Sequence, residues 1–162
     1  VAPRRKRIVT LSLIFGLIAG SASALLYDKN KKIIYSINEI KKIINSPIFE
    51  ILSFKDKEKW NESIQLLIAA SKNNLEGNIG IASIGLINSE IISDIIDKLK
   101  LFSNNSKISS IKNLADLQQY NSVVLITSLG FTKSTSLYDA KRKLLIHNKR
   151  LLGVITFRDI EN

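Results

Sequence analysis

Asn121-Ser122-Val123-Val124-Leu125-Ile126-Thr127-Ser128-Leu129-Gly130 places four consecutive apolar residues between a polar entry and a turn glycine. A strand that is apolar at successive positions has both faces covered, the situation of strands inside a parallel sheet flanked by helices. The segment therefore predicts an α/β fold, and its surroundings extend the pattern. Downstream, Gly130 to Thr135 is a turn rich in Ser and Thr, Ser136 to Asn148 is helical, and Leu151 to Phe157 reads as a last strand after Lys149-Arg150.

Upstream of it, Leu114 to Tyr120 reads as a short helix and Ser103 to Lys107 as a polar loop. Ser89-Glu90 opens a helix whose stripe of Ile91, Ile92, Ile95, Ile96 and Leu99 runs to Phe102. Ile79 to Ile84 is a compact apolar strand ending at Gly85, preceded by a turn at Asn74 to Asn78. A helix from Glu58 to Asn73 carries Trp60, Ile64, Leu67, Ile68 and Ser71 on one face, after a charged loop at 55 to 59. Pro47 opens a strand over Ile48 to Phe54. Strands alternating with helices predict an open parallel sheet with right-handed crossovers over residues 47–162.

Ile8 to Tyr27, IVTLSLIFGLIAGSASALLY, contains no charge. At a rise of about 1.5 Å per residue it matches a hydrocarbon core of about 30 Å, so the expected element is a transmembrane helix. The basic flank 1–7 precedes it, and Asp28, Lys29, Lys31 and Lys32 follow. Ala22-Ser23-Ala24 also satisfies the small-x-small pattern of a secretory cleavage site, which keeps a secreted or periplasmic basic binding domain as the alternative. Apolar character resumes at Ala24, Leu25 and Leu26, and Tyr27 suits an interfacial position, both favouring a retained anchor. Cations on the two sides nearly balance, so charge does not orient the span. Ser12, Gly16, Gly20 and Ala24 recur every four residues, a face on which a second helix could pack. Between span and sheet, residues 28–46 read as a juxtamembrane amphipathic helix through Ile33, Ile34, Ile37, Ile40, Ile43 and Ile44, ending before Pro47.

The chain has 162 residues and a formal net charge of +10, which favours anionic partners, membrane lipid among them. Its excess of Ile, Lys and Asn matches the codon bias of an AT-rich genome, so the charge alone names no partner. Without cysteine there is no disulfide or thiolate site, and one histidine, His147, excludes a histidine cluster for a metal. The chain opens on Val1, which fits either an alternative start codon translated literally or a fragment of a longer protein.

Gly80-Ile81-Ala82-Ser83-Ile84-Gly85 supplies the two glycines of a phosphate-binding loop, GxxxxGK[ST], between a strand and a helix. Leu86 and Ile87 stand where the lysine and hydroxyl residue belong. Those groups neutralise the terminal phosphates and hold magnesium, so this degenerate loop (Gly80, Ser83, Gly85, Leu86, Ile87) is expected to be inactive toward ATP. Residual nucleotide binding through Gly80 to Gly85 is a further alternative. Ser83, Ser128 and Ser134 have only His147 as a base, and Asp94, Asp97, Asp116 and Asp139 read as solvated helix positions, so no catalytic set is expected. Lys141 to Lys143 and Lys149-Arg150 lack interleaved aromatic residues, which argues against a nucleic-acid partner.

The order of these segments resembles the bacterial polysaccharide co-polymerases, the Wzz-type chain-length determinants, especially the branch fused to a tyrosine autokinase. Pro3 to Arg7 entering a membrane helix resembles the approach to that family's second span. Ile37-Asn38-Glu39-Ile40 through Ser46-Pro47-Ile48-Phe49-Glu50-Ile51 is similar to its EEL…LPVLGVIP junction. Asn121 to Thr132, continued by Leu137 to Leu145 and Leu152-Gly153-Val154-Ile155, resembles its ADxVLLVVRxGxT…LGVVLN run. The chain departs from the pattern in its loop, its missing Asp-bearing strands and its dispersed tyrosines. The resemblance implies a non-catalytic, pseudokinase-like protein of the bacterial inner (plasma) membrane, single-pass, with the carboxyl-terminal domain cytoplasmic. It also implies a role in exopolysaccharide or O-antigen chain-length determination or export, without cofactor or metal. Its expected partners are further copies of itself in a homo-oligomer and polysaccharide polymerase or export proteins.

Overall fold

In the computed structural model, the described backbone covers residues 5–53, 57–71, 77–102 and 107–159. Side chains at 5–8, 11, 27–31, 51–53, 57, 71, 102, 115 and 159 lie outside the description. So do the expected basic flank at its side chains, most of the turn at 74–78, part of the charged loop at 55–59, and the loop at 103–106. The chain divides into two units, residues 1–32 and 33–162.

The described residues of the first unit form the helix α1 (Arg5–Lys31). It runs without interruption past Ala22-Ser23-Ala24. Ser12 Oγ donates to the Val9 carbonyl at 2.9 Å, and Ser21 Oγ donates to those of Leu17 and Ile18 at 2.9 and 3.0 Å. These serines satisfy their hydroxyls within their own helix, which lowers the cost of an apolar setting. Among the described residues, no helix is long and apolar enough to cross a membrane. The transmembrane expectation for Ile8 to Tyr27 is therefore unsupported by the described residues.

The second unit is a mixed α/β domain built on a five-stranded parallel sheet. Its strands are β1 (Ile48–Ser53), β2 (Asn78–Ile84), β3 (Lys107–Ser110), β4 (Ser122–Ser128) and β5 (Arg150–Asp159), in the order β1-β5-β4-β2-β3. Its helices are α2 (Ile37–Ile43), α3 (Lys57–Ser71), α4 (Ser89–Phe102) and α5 (Ser134–Ile146), with a 3₁₀ helix at Leu114–Gln119. All seven residues of β4 are buried, as its unbroken apolar run requires.

Strand alternation sorts the core into two layers. Val123 and Leu125 join Ala82, Ile84 and Val154 beneath α2 and α5, which contribute Ile40, Ile43, Leu137, Ala140 and Leu144. Val124 and Ile126 join Ile79, Ile81, Ile155 and Phe157 beneath α3 and α4, which contribute Trp60, Ile64, Leu67, Ile95 and Leu99. Trp60 meets Phe157 edge to face at 5.5 Å between centroids, a geometry that adds to area burial. A bulge between Val123 and Val124 in the β4–β5 register lets Leu152 reach the same layer as Ile155.

The structure differs from the sequence expectation in two places that shape the site. Ile33 and Ile34 are not helical: Ile33 makes an antiparallel bridge to Lys133, and Ile34 N–H donates to the Thr132 carbonyl at 2.9 Å. The Ile34 carbonyl accepts from Gly130 N–H at 2.8 Å. Ile34 is fully buried, so tertiary burial overrides its place in the helical stripe and α2 starts only at Ile37. Residues 33–46 accordingly belong to the α/β unit. The second difference is β3, four residues at the sheet edge. Of Lys107-Ile108-Ser109-Ser110 only Ile108 is buried, too little apolar content to announce a strand.

Candidate functional site

In an open parallel sheet, ligands favour the crevice beyond the carboxyl ends of strands where the strand order reverses. Here β2 leads outward to β3, whereas β4 leads the other way to β5, so the reversal lies between β2 and β4. The turns that form its rim are Gly85 to Asn88, before α4, and Leu129 to Lys133, before α5.

Gly80, Ile81, Ala82, Ser83 and Ile84 are all part of extended β2, paired residue for residue with Val123 to Thr127 of β4. A phosphate loop must curl its backbone amides around an anion between its two glycines. This segment instead commits its backbone to the sheet. A Cβ at Gly80 would press on Ile111 Cγ1 at 2.7 Å and the Tyr120 ring at 2.9 Å, which makes the residue a packing glycine. Gly85 has φ of +102°, favourable to glycine, and its missing Cβ would lie 2.8 Å from Thr132 Oγ1.

Thr132 closes the rim. Its Oγ1 donates to the Ile84 carbonyl at 2.8 Å and accepts from Ser128 N–H at 3.0 Å. The carboxyl end of β2 is therefore latched to the turn after β4. Beside it, Thr127 and Thr156 share a hydroxyl contact of 3.0 Å, fully buried between β4 and β5. Ser128 Oγ is buried without a hydrogen-bond partner. Sequence reading had no access to the latch, because its partners lie 48 residues apart.

Leu86 is 70% exposed, while Ile87 is partly buried against the core beneath α3 and α4. The amino end of α4 already has occupants: Asn88 Oδ1 accepts from Glu90 N–H at 3.1 Å, and Glu90 puts a carboxylate in the first turn. A negative charge there takes the position that favours a bound phosphate. Among the described residues, the adjoining cavity of about 430 Å³ is lined by Ser83, Ile84, Gly85, Leu114, Thr135, Ser136 and Asp139, one carboxylate and no cation. Asp139 pairs with Lys143 at 2.9 Å.

A second cavity, also about 430 Å³, opens between the start of α2 and the ends of β4 and β5, with Tyr35, Asn38, Gly130 and Arg158 in its lining. Glu50 Oε1 accepts no well-aligned hydrogen bond, yet Arg158 Nη2 lies 2.7 Å from it. The pair compensates both charges. Among the described residues, no group of three acidic, histidine or cysteine side chains is placed to hold a metal ion.

Ser12, Gly16, Gly20 and Ala24 are all exposed on α1, and nothing lies within 4 Å of a Cβ built on either glycine. The apolar side chains around them are equally uncovered: Leu13, Phe15, Leu17 and Ile18 are 60–68% exposed. No protein-family model matches the chain, and no curated protein or solved structure matches it either.

Proposed function

We propose that this chain is a membrane-anchored, non-catalytic docking protein of the bacterial inner membrane, related to the polysaccharide co-polymerases, with its α/β unit on the cytoplasmic side. One observation carries the reading. Every described residue of α1 between Val9 and Leu26 is exposed, including eight large apolar side chains at 50–72%. A helix that is apolar around its circumference belongs in a low-dielectric setting, and the uncharged sequence from Ile8 to Tyr27 has the length of a bilayer span.

The rim of the sheet supports the non-catalytic part. Phosphoryl transfer relies on positioned cations and a curled amide loop, whereas this crevice has an extended strand, an acid at the helix start and a cavity whose one described charged lining residue, Asp139, is paired with Lys143. Retention of the sheet is then explained by its surfaces: copies of the chain associate, and the unit presents docking faces to polymerase or export components.

Calorimetric titration of the full chain with Mg-ATP and Mg-ADP tests the nucleotide-blind part. Flat heats are expected; saturable heat with enzyme-like turnover would remove the reading. Deleting the coding sequence and sizing the surface polysaccharide on gels tests the biological role, which predicts an altered chain-length distribution.

A further inference from the structure

The two helical layers of the α/β unit differ in charge. Helices α2 and α5 together carry five cations against two carboxylates, whereas α3 and α4 carry five carboxylates against four cations. Layers on opposite faces of one sheet thus present different fields to their surroundings. The basic layer is held together: Lys141 Nζ donates to the Ile43 carbonyl at 2.7 Å, tying α5 to α2. Lys41, Lys42 and Arg142 are exposed and enter no ion pair among the described residues.

On α5, exposed apolar side chains flank Arg142 at helical spacing. Leu137, Ala140 and Leu144 form the buried stripe of α5, yet Tyr138, Leu145 and Ile146, off that stripe, are 56%, 70% and 66% exposed. A surface that combines uncompensated cations with exposed aliphatic and aromatic groups on a helix fits the boundary between anionic headgroups and acyl chains. We infer that the α2–α5 layer is a second membrane contact, docking on anionic lipid, with Arg142, Lys41 and Lys42 meeting headgroup phosphates and Leu145, Ile146 and Tyr138 entering the interface. This rests on the membrane-anchored reading of α1, which brings the unit to a bilayer. A nucleic acid would satisfy the cations but would leave the two exposed aliphatic residues unused.

The chain has no cysteine, so Leu145→Cys creates a unique labelling position at a site already exposed. The full-length variant, labelled with an environment-sensitive fluorophore, is reconstituted into phosphatidylcholine vesicles with and without phosphatidylglycerol. Leu101→Cys on α4, 78% exposed in the opposite layer, is the control. The intrinsic emission of buried Trp60 checks that both variants are folded.

The expected result is a blue shift at position 145 that requires phosphatidylglycerol and is reversed by salt, with position 101 unmoved. Arg142→Gln and Lys42→Gln should each weaken the lipid-dependent response about fivefold. An identical spectrum at 145 in both lipids, an equal shift at 101, or the same shift with soluble polyuridylate in place of phosphatidylglycerol would overturn the proposal. Retention on phosphatidylcholine vesicles through alkaline carbonate reads α1 alone, so failure of the anchor and failure of the basic layer are separate outcomes.

Discussion

Thr132 Oγ1 donates to the carbonyl of Ile84 at 2.8 Å, joining the end of β2 to the turn that follows β4. The same oxygen accepts from Ser128 N–H, so one side chain satisfies two backbone groups at the point where the strand order reverses. Removing it would leave both unpaired in a buried setting. Thr132→Val should therefore destabilise the α/β unit by about 1–3 kcal/mol, and Thr132→Ser should restore most of the loss. Urea titration followed by the fluorescence of Trp60, the single tryptophan, measures both.

Ser128→Ala carries the opposite expectation. Its Oγ is buried and unpartnered, so deleting the hydroxyl removes an unpaid desolvation cost while keeping the backbone intact. Stability should be unchanged or slightly raised, by less than about 1 kcal/mol in the same titration. A clear loss would mean that the hydroxyl has a partner essential to the fold.

Gly80 distinguishes a packing glycine from a loop glycine. Ile111 and Tyr120 fill the space where a Cβ would go, so Gly80→Ala should cost about 1–3 kcal/mol through overpacking. Nucleotide titration heats should be the same before and after the change. An alanine that is tolerated at full stability would contradict the packing account.

Leu86→Lys with Ile87→Ser rebuilds the missing residue types of a phosphate loop without changing its backbone. Because Gly80 to Ile84 remain committed to β2, the double variant should still give flat heats with Mg-ATP. Saturable binding would show that chemistry alone, and not backbone path, had been lacking.

The sheet was legible where apolar runs were long. Val123 to Ile126 announced the buried central strand, and the Trp60, Ile64, Leu67 stripe announced α3, because burial on a repeating face leaves a repeating sequence. Ile33 and Ile34 fit a helical stripe yet serve as an extended segment fixed to Gly130 and Thr132, a choice made by partners about a hundred residues away. The two glycines of the crevice were equally legible as residues, but their spacing does not say whether the backbone between them is curled or extended. Register with β4 decides that. The exposed Tyr138, Leu145 and Ile146 lie off the Leu137, Ala140, Leu144 stripe, a signal present in the sequence once the helix start is placed at Ser134.

Leu17 sits near the middle of the uncharged stretch and is 68% exposed. An arginine there costs about 2.5–3.5 kcal/mol in a bilayer and little on a solvated helix. Leu17→Arg should reduce the membrane-associated fraction of the full chain at least severalfold in sedimentation, with Trp60 emission unaltered.

The anchor itself is tested most directly by washing membranes that contain the full chain with alkaline carbonate and then floating the residue on a density gradient. The chain should stay with the lipid and rise with it. Quantitative release into the carbonate supernatant would contradict the account.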